Sequence, residues 1–280
     1  MTGTITFRRK ATDRVMKWVF TLCAFLVVLP LFLIFFDLVI KGAKELRWTL
    51  LVDLPHPVGE PGGGIANGIL GTILITLLTM AWSVPVAVLS GIYLAEYGTG
   101  RLASAVRFAV DTLTGVPSII MGLFVYTLMV VPLGHFSGYA GGVSLALLIT
   151  PVVARTTEDM LRLVPNTLRE AALGLGAPRW RMIAGVLFPS AKAGLITGVM
   201  LALARVSGET APLLFTALNS PYWPESLGKP TANLTTTIFA FAMSPYPRWQ
   251  TRAWGAALLI TLAVLLITVA ARTILKGKKP

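Results

Sequence analysis

The stretch Glu170-Ala171-Ala172-Leu173-Gly174-Leu175-Gly176, with Val186-Leu187-Phe188-Pro189 after it, decides the fold class of this chain. It is short, charged and interrupted by glycine, and long apolar runs lie on both sides of it. A polar segment between membrane-spanning runs must lie at the membrane face. Because the segment is also compact, we predict a membrane protein that presents a docking loop to another protein.

The composition independently indicates an integral membrane protein. Hydrophobic residues make up 55% of the 280 residues, charged residues only 13%, and the mean hydropathy is +0.76. Soluble domains carry about a quarter charged residues. The net charge of +12 comes from cations at the ends of apolar runs, where anionic membrane lipid attracts them, so we predict no nucleic-acid partner.

Six apolar segments are long enough to cross the hydrocarbon core, which takes about 20 residues. The first follows a cluster of cations and is too long for a signal peptide, so it should remain as an N-terminal anchor helix. The predicted spans are 18–40, 68–96, 108–133, 142–163, 185–218 and 253–274. The sequence therefore predicts an all-α membrane protein with six transmembrane helices.

The glycine cluster Gly62-Gly63-Gly64 predicts a boundary between the anchor helix and a five-helix core. We expect a cytoplasmic N-terminal segment at 1–17 and the anchor helix with a periplasmic loop at 18–63. A transmembrane domain should follow at 64–275, with the docking loop at about 165–189, and a cytoplasmic tail at 276–280.

The distribution of the 24 lysines and arginines predicts the orientation. With the N-terminus inside, most of them fall in the inner segments. The outer segments hold only Lys41, Lys44, Arg47, Lys229, Arg248 and Arg252. Because cytoplasmic loops carry the excess of cations, both termini should be cytoplasmic.

The docking loop has the residues of a short capped helix. Asn166 is a suitable N-cap, and Glu170 lies near the positive end of the helix. Gly174 and Gly176 should then stop the helix, and Pro178 suits the start of the next one. We predict a compact helix-turn-helix that projects from the membrane.

Two pairs of opposite charges lie within or next to the spans. Arg205 and Glu209 are four residues apart, and Arg155 and Glu158 are three apart, so each pair shares a helix face. An ionisable residue near mid-bilayer costs roughly 2.5–3.5 kcal/mol, which makes such residues functional candidates. For Arg155 and Glu158 a structural or headgroup-level role is an equal alternative.

No residue pattern predicts catalysis. The chain has no G-x4-G-K-[ST] motif for ATP and no H-E-x-x-H or G-x-S-x-G motif. Cys23 is the only cysteine, and His56 and His135 lie in separate loops. We therefore predict no catalytic residue, no cofactor and no metal site.

The docking loop matches the pattern E-A-A-x3-G followed by an apolar residue, x, Leu and Pro, except that Phe188 stands where the pattern usually has Leu. The chain thus resembles the EAA-loop permeases of ABC importers. This resemblance implies a type I ABC importer permease fold whose short helix docks on a nucleotide-binding subunit. The implied ATPase-coupling residues are Glu170, Ala171, Ala172, Gly176 and Pro189.

Two further blocks narrow the resemblance: Gly208-Glu209-Thr210-Ala211-Pro212-Leu213-Leu214-Phe215-Thr216-Ala217, and the segment 233–245. They resemble the PstA-type permease family of bacterial phosphate ABC importers, and the similarity runs from about Thr12 to the C-terminus. The resemblance implies half of a translocation pathway for inorganic phosphate in the inner membrane, with ATP hydrolysis on a partner chain. The implied partners are a second, PstC-like permease subunit, two ATP-binding subunits and a periplasmic phosphate-binding protein. The charged positions that match the family are Arg155, Glu158, Arg205 and Glu209, which we expect along the pathway.

Three alternatives remain at this point. An ABC permease for another oxyanion, such as molybdate, sulfate or phosphonate, would share the docking loop but not the Gly-Glu-Thr-Ala-Pro block. An ion-coupled secondary transporter could use six spans but has no use for a loop that docks on an ATPase. An intramembrane enzyme is the most distant alternative because no catalytic motif supports it.

Overall fold

The computed structural model describes residues 2–60 and 62–276, and all regular structure in them is helical. Of the predicted tail 276–280, only Lys276 is among these residues. These residues contain three π-helical turns: Tyr93–Tyr97 extends one α-helix, and Tyr126–Val130 and Ile183–Leu187 each join two α-helices end to end. The helices are α1 (Thr2–Ala43), α2 (Trp48–Val52), α3 (Ala66–Ile92), α4 (Arg101–Thr114), α5 (Ser118–Val125), α6 (Val131–Leu133), α7 (Gly138–Arg162), α8 (Asn166–Gly174), α9 (Arg179–Met182), α10 (Phe188–Ser207), α11 (Ala211–Thr216), α12 (Leu234–Ala242) and α13 (Pro247–Lys276).

In the described part of the chain, five helical stretches are long and apolar enough to cross a membrane, and a bent helix pair makes a sixth if it counts as one span. The five are Thr12–Ala43, Ala66–Tyr97, Gly138–Arg162, Arg179–Ser207 and Pro247–Ala270, and the bent pair is Arg101–Thr114 with Ser118–Leu133. The predicted all-α membrane class is confirmed, while two of the predicted spans need correction.

The predicted span 108–133 is not one straight helix. It breaks after α4, and the two parts meet at an angle of 106°. The break falls at Gly115-Val116-Pro117, because proline has no N–H to donate and disfavours helical geometry in the residue before it. Polar and charged residues such as Arg101, Arg107 and Asp111 belong to α4, so this amphipathic helix is separate from the apolar helix that follows.

The predicted span 185–218 is also interrupted. α10 ends at Ser207, and the short α11 follows after Gly208 to Thr210, with Pro212 in its first turn. The segment after α11 contains α12 and buried side chains at Leu234, Thr235, Thr236, Thr237 and Phe241. Its polar groups can be buried because they hydrogen-bond to one another.

The core lies where α3 and α7 pack together along their lengths, with Ile75, Leu145 and Ile149 among its buried residues. Close approach depends on small residues. A Cβ at Gly91 of α3 would collide with Thr157 of α7. Such small residues are what allow membrane helices to approach closely.

The anchor helix α1 is almost entirely exposed where its side chains are described and contacts only α13 extensively, near the C-terminal end of α1. There Gly42 lies directly against Trp254 and Leu258. At 1.5 Å per residue its 42 residues extend about 63 Å, which is about twice the hydrocarbon thickness. α1 therefore stands apart from the helices that form the core.

Candidate functional site

The docking loop folds as two short helices, α8 and α9. α8 ends in a Schellman motif, in which Ala177 N–H donates to Ala172 C=O at 3.1 Å and Gly176 N–H donates to Leu173 C=O at 2.9 Å. Gly176 has φ +80°, which explains why glycine is needed there. One expectation needs correction: Asn166 is the first helical residue, and its side chain accepts from Arg169 instead of capping the helix.

The outward side of the docking loop is apolar but uncovered. Leu175 is 90% exposed, and Leu168, Leu173 and Trp180 are exposed as well. Of the expected coupling residues, Glu170, Ala171 and Gly176 are exposed and Ala172 is buried beneath them. A cluster of large exposed apolar side chains of this kind is typical of an interaction surface.

Pro189 lies apart from that surface, in the first turn of α10 directly after the π-helical turn Ile183–Leu187. Pro189 therefore lies within the continuous helical stretch Arg179–Ser207. A proline cannot donate a backbone hydrogen bond, and the π-helical turn before it is where the regular α-helical pattern is interrupted. The Pro189 side chain is exposed.

Glu158 is the centre of a charge cluster and its side chain is completely buried. Its Oε1 accepts from Arg107 Nε at 2.9 Å and lies 2.7 Å from Arg162 Nη2, and its Oε2 accepts from Arg155 Nη1 at 3.3 Å. Arg155 also lies 3.6 Å from Asp159. Since three cations converge on one buried carboxylate, the geometry favours a structural role for Glu158, while Arg155 remains half exposed.

Arg205 and Glu209 also meet, with Arg205 Nε 3.4 Å from Glu209 Oε1. They do not share a helix, because α10 ends at Ser207 and Glu209 follows the break. The Arg205 side chain is 52% exposed and that of Glu209 is 17% exposed. The arginine therefore offers donors to whatever occupies the space beside it.

That space is an open groove of about 560 Å³ between α7 and α10. Thr156 and Thr197 add hydroxyl groups to its wall, and Arg205 lies at one end. Gly194 and Gly198 allow α10 to approach α7 closely along the groove, since a Cβ on Gly194 would overlap Met160 and a Cβ on Gly198 would overlap Thr156. Both threonine hydroxyls already donate to backbone carbonyls of their own helices, to Val152 C=O at 2.9 Å and to Ala193 C=O at 2.8 Å. Arg205 therefore supplies the charge in the groove that suits an anion.

Residues 217–237, called the outer polar segment after the orientation that the sequence predicts, pack beside Glu209. Sequence reasoning missed the burial of this segment. Thr235 Oγ1 donates to Glu209 C=O at 2.8 Å, and Asn233 Oδ1 accepts from Thr236 N–H at 2.9 Å. Leu234 N–H donates to Thr72 Oγ1 at 2.8 Å, which ties the segment to α3. The run Asn233-Leu234-Thr235-Thr236-Thr237 was visible in the sequence, but only packing shows that it is buried.

Sequence reasoning also missed Glu96, Arg107 and Arg169. Arg169 Nη2 lies 2.8 Å from Glu96 Oε1, between α8 and the end of α3. A signal existed, since Glu96 ends an apolar run and Arg169 directly precedes Glu170. Within residues 2–60 and 62–276, no three His, Cys, Asp or Glu side chains are grouped so that they could hold a metal ion.

Comparison with known proteins identifies the class. Residues 87–277 match the family described as "Binding-protein-dependent transport system inner membrane component". This match covers more than half of the 280 residues. The chain therefore belongs to this family of membrane-spanning transport subunits.

A closer relative narrows the comparison. Over 247 residues the chain is 49% identical to the phosphate transport system permease protein PstA of Yersinia pestis, covering 88% of this chain and 84% of that protein. Among solved structures, the inward-facing MetNI methionine ABC transporter matches with a TM-score of 0.60 at 22% identity, over 78% of this chain and 95% of that chain. A bacterial alginate ABC transporter, in complex with an alginate pentasaccharide-bound periplasmic protein, matches with a TM-score of 0.65 at 16% identity, over 97% and 96%. The predicted ABC importer permease fold is confirmed.

Proposed function

We propose that this chain is the membrane-spanning permease subunit of an ATP-driven importer and forms half of the translocation pathway for inorganic phosphate. The observation that carries the proposal is its similarity, over most of its length, to a permease named for phosphate transport. The groove beside Arg205 supports an anionic substrate. This permease has no catalytic role of its own, and ATP is hydrolysed on a partner chain.

The docking loop is the part that contacts the ATP-hydrolysing subunit. Leu175 and Trp180 supply an apolar contact, with Glu170 and Ala171 exposed beside them. The left-handed Gly176 allows the chain to turn back closely under the partner. Burial of this surface in a partner explains why a polar loop carries large apolar side chains.

Phosphate passes along the groove between α7 and α10. Arg205 attracts the anion, and Glu209, paired with Arg205, keeps the arginine from holding it too tightly, since conduction requires release as well as binding. Arg155 continues the positive surface towards the inner face, where Glu158 holds it in place. A half-exposed arginine facing lipid would be unfavourable, so a second, PstC-like permease subunit covers the open side of the groove.

The complete importer contains this chain, the second permease subunit, two ATP-binding subunits and a periplasmic phosphate-binding protein. It lies in the bacterial inner membrane with both termini of this chain in the cytoplasm. The support for this orientation is the excess of lysines and arginines in the inner segments.

The experiment is uptake of radiolabelled phosphate into proteoliposomes that contain this chain, its partner subunits and the binding protein. We expect uptake to require ATP and the binding protein, and we expect excess phosphate to inhibit it more strongly than excess molybdate or sulfate does. Uptake by this chain alone, driven by a proton or sodium gradient, would refute the proposal.

A further inference from the structure

Arg169 points away from the exposed side of α8 and into the body of the permease. Its side chain is only 16% exposed, although the neighbouring Leu168 and Glu170 are exposed. Arg169 Nη2 donates to Glu96 Oε1 over 2.8 Å, and Nε lies 3.2 Å and 3.4 Å from the two carboxylate oxygens. The Glu96 side chain is 8% exposed and belongs to the π-helical turn that ends α3. The docking loop is thus joined to α3 by a forked ion pair.

The same guanidinium holds the end of α7. Arg169 Nη2 donates to Leu161 C=O at 2.7 Å, and Nη1 donates to Val164 C=O and to Asn166 Oδ1. Both carbonyls lie at or just after the C-terminal end of α7, where a cation is favoured. Leu161 C=O also accepts from Val164 N–H at 3.2 Å, so the arginine adds a second hydrogen bond there. One side chain therefore connects the inner ends of α3 and α7 with the start of α8.

Other contacts at this place are less directional. Ile92 at the end of α3 and Ala95 in the π-helical turn after it pack against an apolar cluster that contains Leu161 and Ala172. Apolar packing tolerates small slides between helices, whereas an arginine fork on a carboxylate has one preferred orientation. Burying such a pair adds little net stability over apolar packing. The pair is therefore better explained by the orientation that it imposes.

The outer end of α3 is attached to the outer polar segment. Asn67 Nδ2 donates to Ser220 C=O, and Thr72 Oγ1 accepts from Leu234 N–H. A helix of 27 residues is about 40 Å long. α3 therefore reaches from the docking loop to the polar segment beside Glu209.

We propose that Arg169 and Glu96 are positioning residues that transmit movement of the docking loop to α3, and through α3 to the outer polar segment. ATP-driven displacement of α8 then changes the outer side of the permease only while this ion pair is intact. The inference rests on the proposed function, because it assumes that the docking loop moves with an ATPase.

The test compares Glu96→Gln and Arg169→Lys with the unchanged chain in the complete reconstituted importer. Phosphate uptake and ATP hydrolysis are measured in the same proteoliposomes, and the readout is phosphate transported per ATP hydrolysed. We expect both variants to assemble and to hydrolyse ATP, with this ratio lowered about fivefold or more, as for a typical coupling between sites. The exchanged double variant Glu96→Arg with Arg169→Glu should recover part of the ratio.

Asp13→Asn is the matched control, because Asp13 pairs with Lys17 four residues away on exposed α1. It removes one carboxylate charge from an ion pair and should leave the ratio unchanged. A normal ratio in assembled Glu96→Gln and Arg169→Lys complexes would overturn the inference. Loss of assembly in both variants would also overturn it, since the pair would then serve folding.

Phosphate transport by the complex with the unchanged chain distinguishes a failure of the proposed function from a failure of this inference. If this complex transports no phosphate with ATP, the proposed function fails. If it does, and uptake and hydrolysis fall in equal proportion in the variants, the function stands and the positioning role of the pair is wrong.

Discussion

Gly174 and Gly176 lie two residues apart in the docking loop but differ in the substitutions that their backbone conformations tolerate. A Cβ on either glycine would meet no atom within 4 Å, so packing does not demand glycine at these positions. Only Gly176 has positive φ, at +80°, where most side chains cost roughly 1–2 kcal/mol. The two positions therefore separate the effect of backbone conformation from that of size.

We expect Gly176→Asp to insert normally but to lower phosphate uptake and ATPase stimulation together. Aspartate enters the left-handed region more readily than most residues, so the turn persists while a charge enters the docking surface. Gly174→Ala, in open space without positive φ, should behave as the unchanged chain does. Normal uptake by Gly176→Asp would remove the coupling role from this turn.

We expect Arg205→Gln to reduce phosphate uptake about tenfold or more, since a hydrogen bond to a charged group contributes about 1.5–3 kcal/mol. Assembly with the partner subunits should remain intact, because Arg205 is half exposed on the groove. Uptake and co-purification of the partners are measured on the same preparation. If co-purification is what fails, Arg205 has a structural role.

At the scale of the elements, the Glu158 carboxylate joins α7 to α4, a contact that the predicted spans do not reveal. Arg107 of α4 reaches Glu158 of α7 and also donates to Leu94 C=O at 2.8 Å. This contact holds the middle of α4 against the π-helical turn that follows α3. Without a partner carboxylate, several cations would repel one another at the same place.

We expect Glu158→Gln to lower the thermal unfolding midpoint of the protein in detergent. Breaking a buried ion pair lowers the free energy of unfolding by about 3–5 kcal/mol. Because water screens the partly exposed arginines here, we expect the free energy of unfolding to fall by about 1–3 kcal/mol. Asp159→Asn is the control, since Asp159 is half exposed and lies 3.6 Å from Arg155. An equal midpoint for the two variants would contradict the central place of Glu158.

At the scale of the whole molecule, α3 runs between two ends of the protein. The docking loop and the loop at 98–100 lie at one end of α3, where Arg169 pairs with Glu96. The loop that contains Tyr222 lies at the other end, where Asn67 donates to Ser220 C=O. Cys23 is the only cysteine, which makes labelling experiments simple. The sidedness of single introduced cysteines can therefore test the proposed orientation.

In a Cys23→Ser background, we expect a membrane-impermeant thiol reagent to label Tyr222→Cys in intact spheroplasts. Thr99→Cys should react only after the membrane is permeabilised, although both native side chains are exposed. The reverse pattern would invert the orientation. Labelling of both positions before permeabilisation would show that the membrane had leaked and would require a repeat with intact spheroplasts.

The amino-acid sequence by itself determined the membrane class, the approximate spans and the docking loop. These properties are local. The length of an apolar run predicts a span, and a Glu-Ala-Ala run with a glycine after the short helix predicts the docking loop, so each signal lies in one continuous stretch of sequence. Tertiary structure decided the angle of 106° at the break 115–117, the burial of the outer polar segment and the partners of Glu158 and Arg169. Arg107 and Glu158 are 51 residues apart, and Glu96 and Arg169 are 73 apart. Such pairs form only when helix packing brings the side chains within hydrogen-bond distance, and no local pattern encodes that approach.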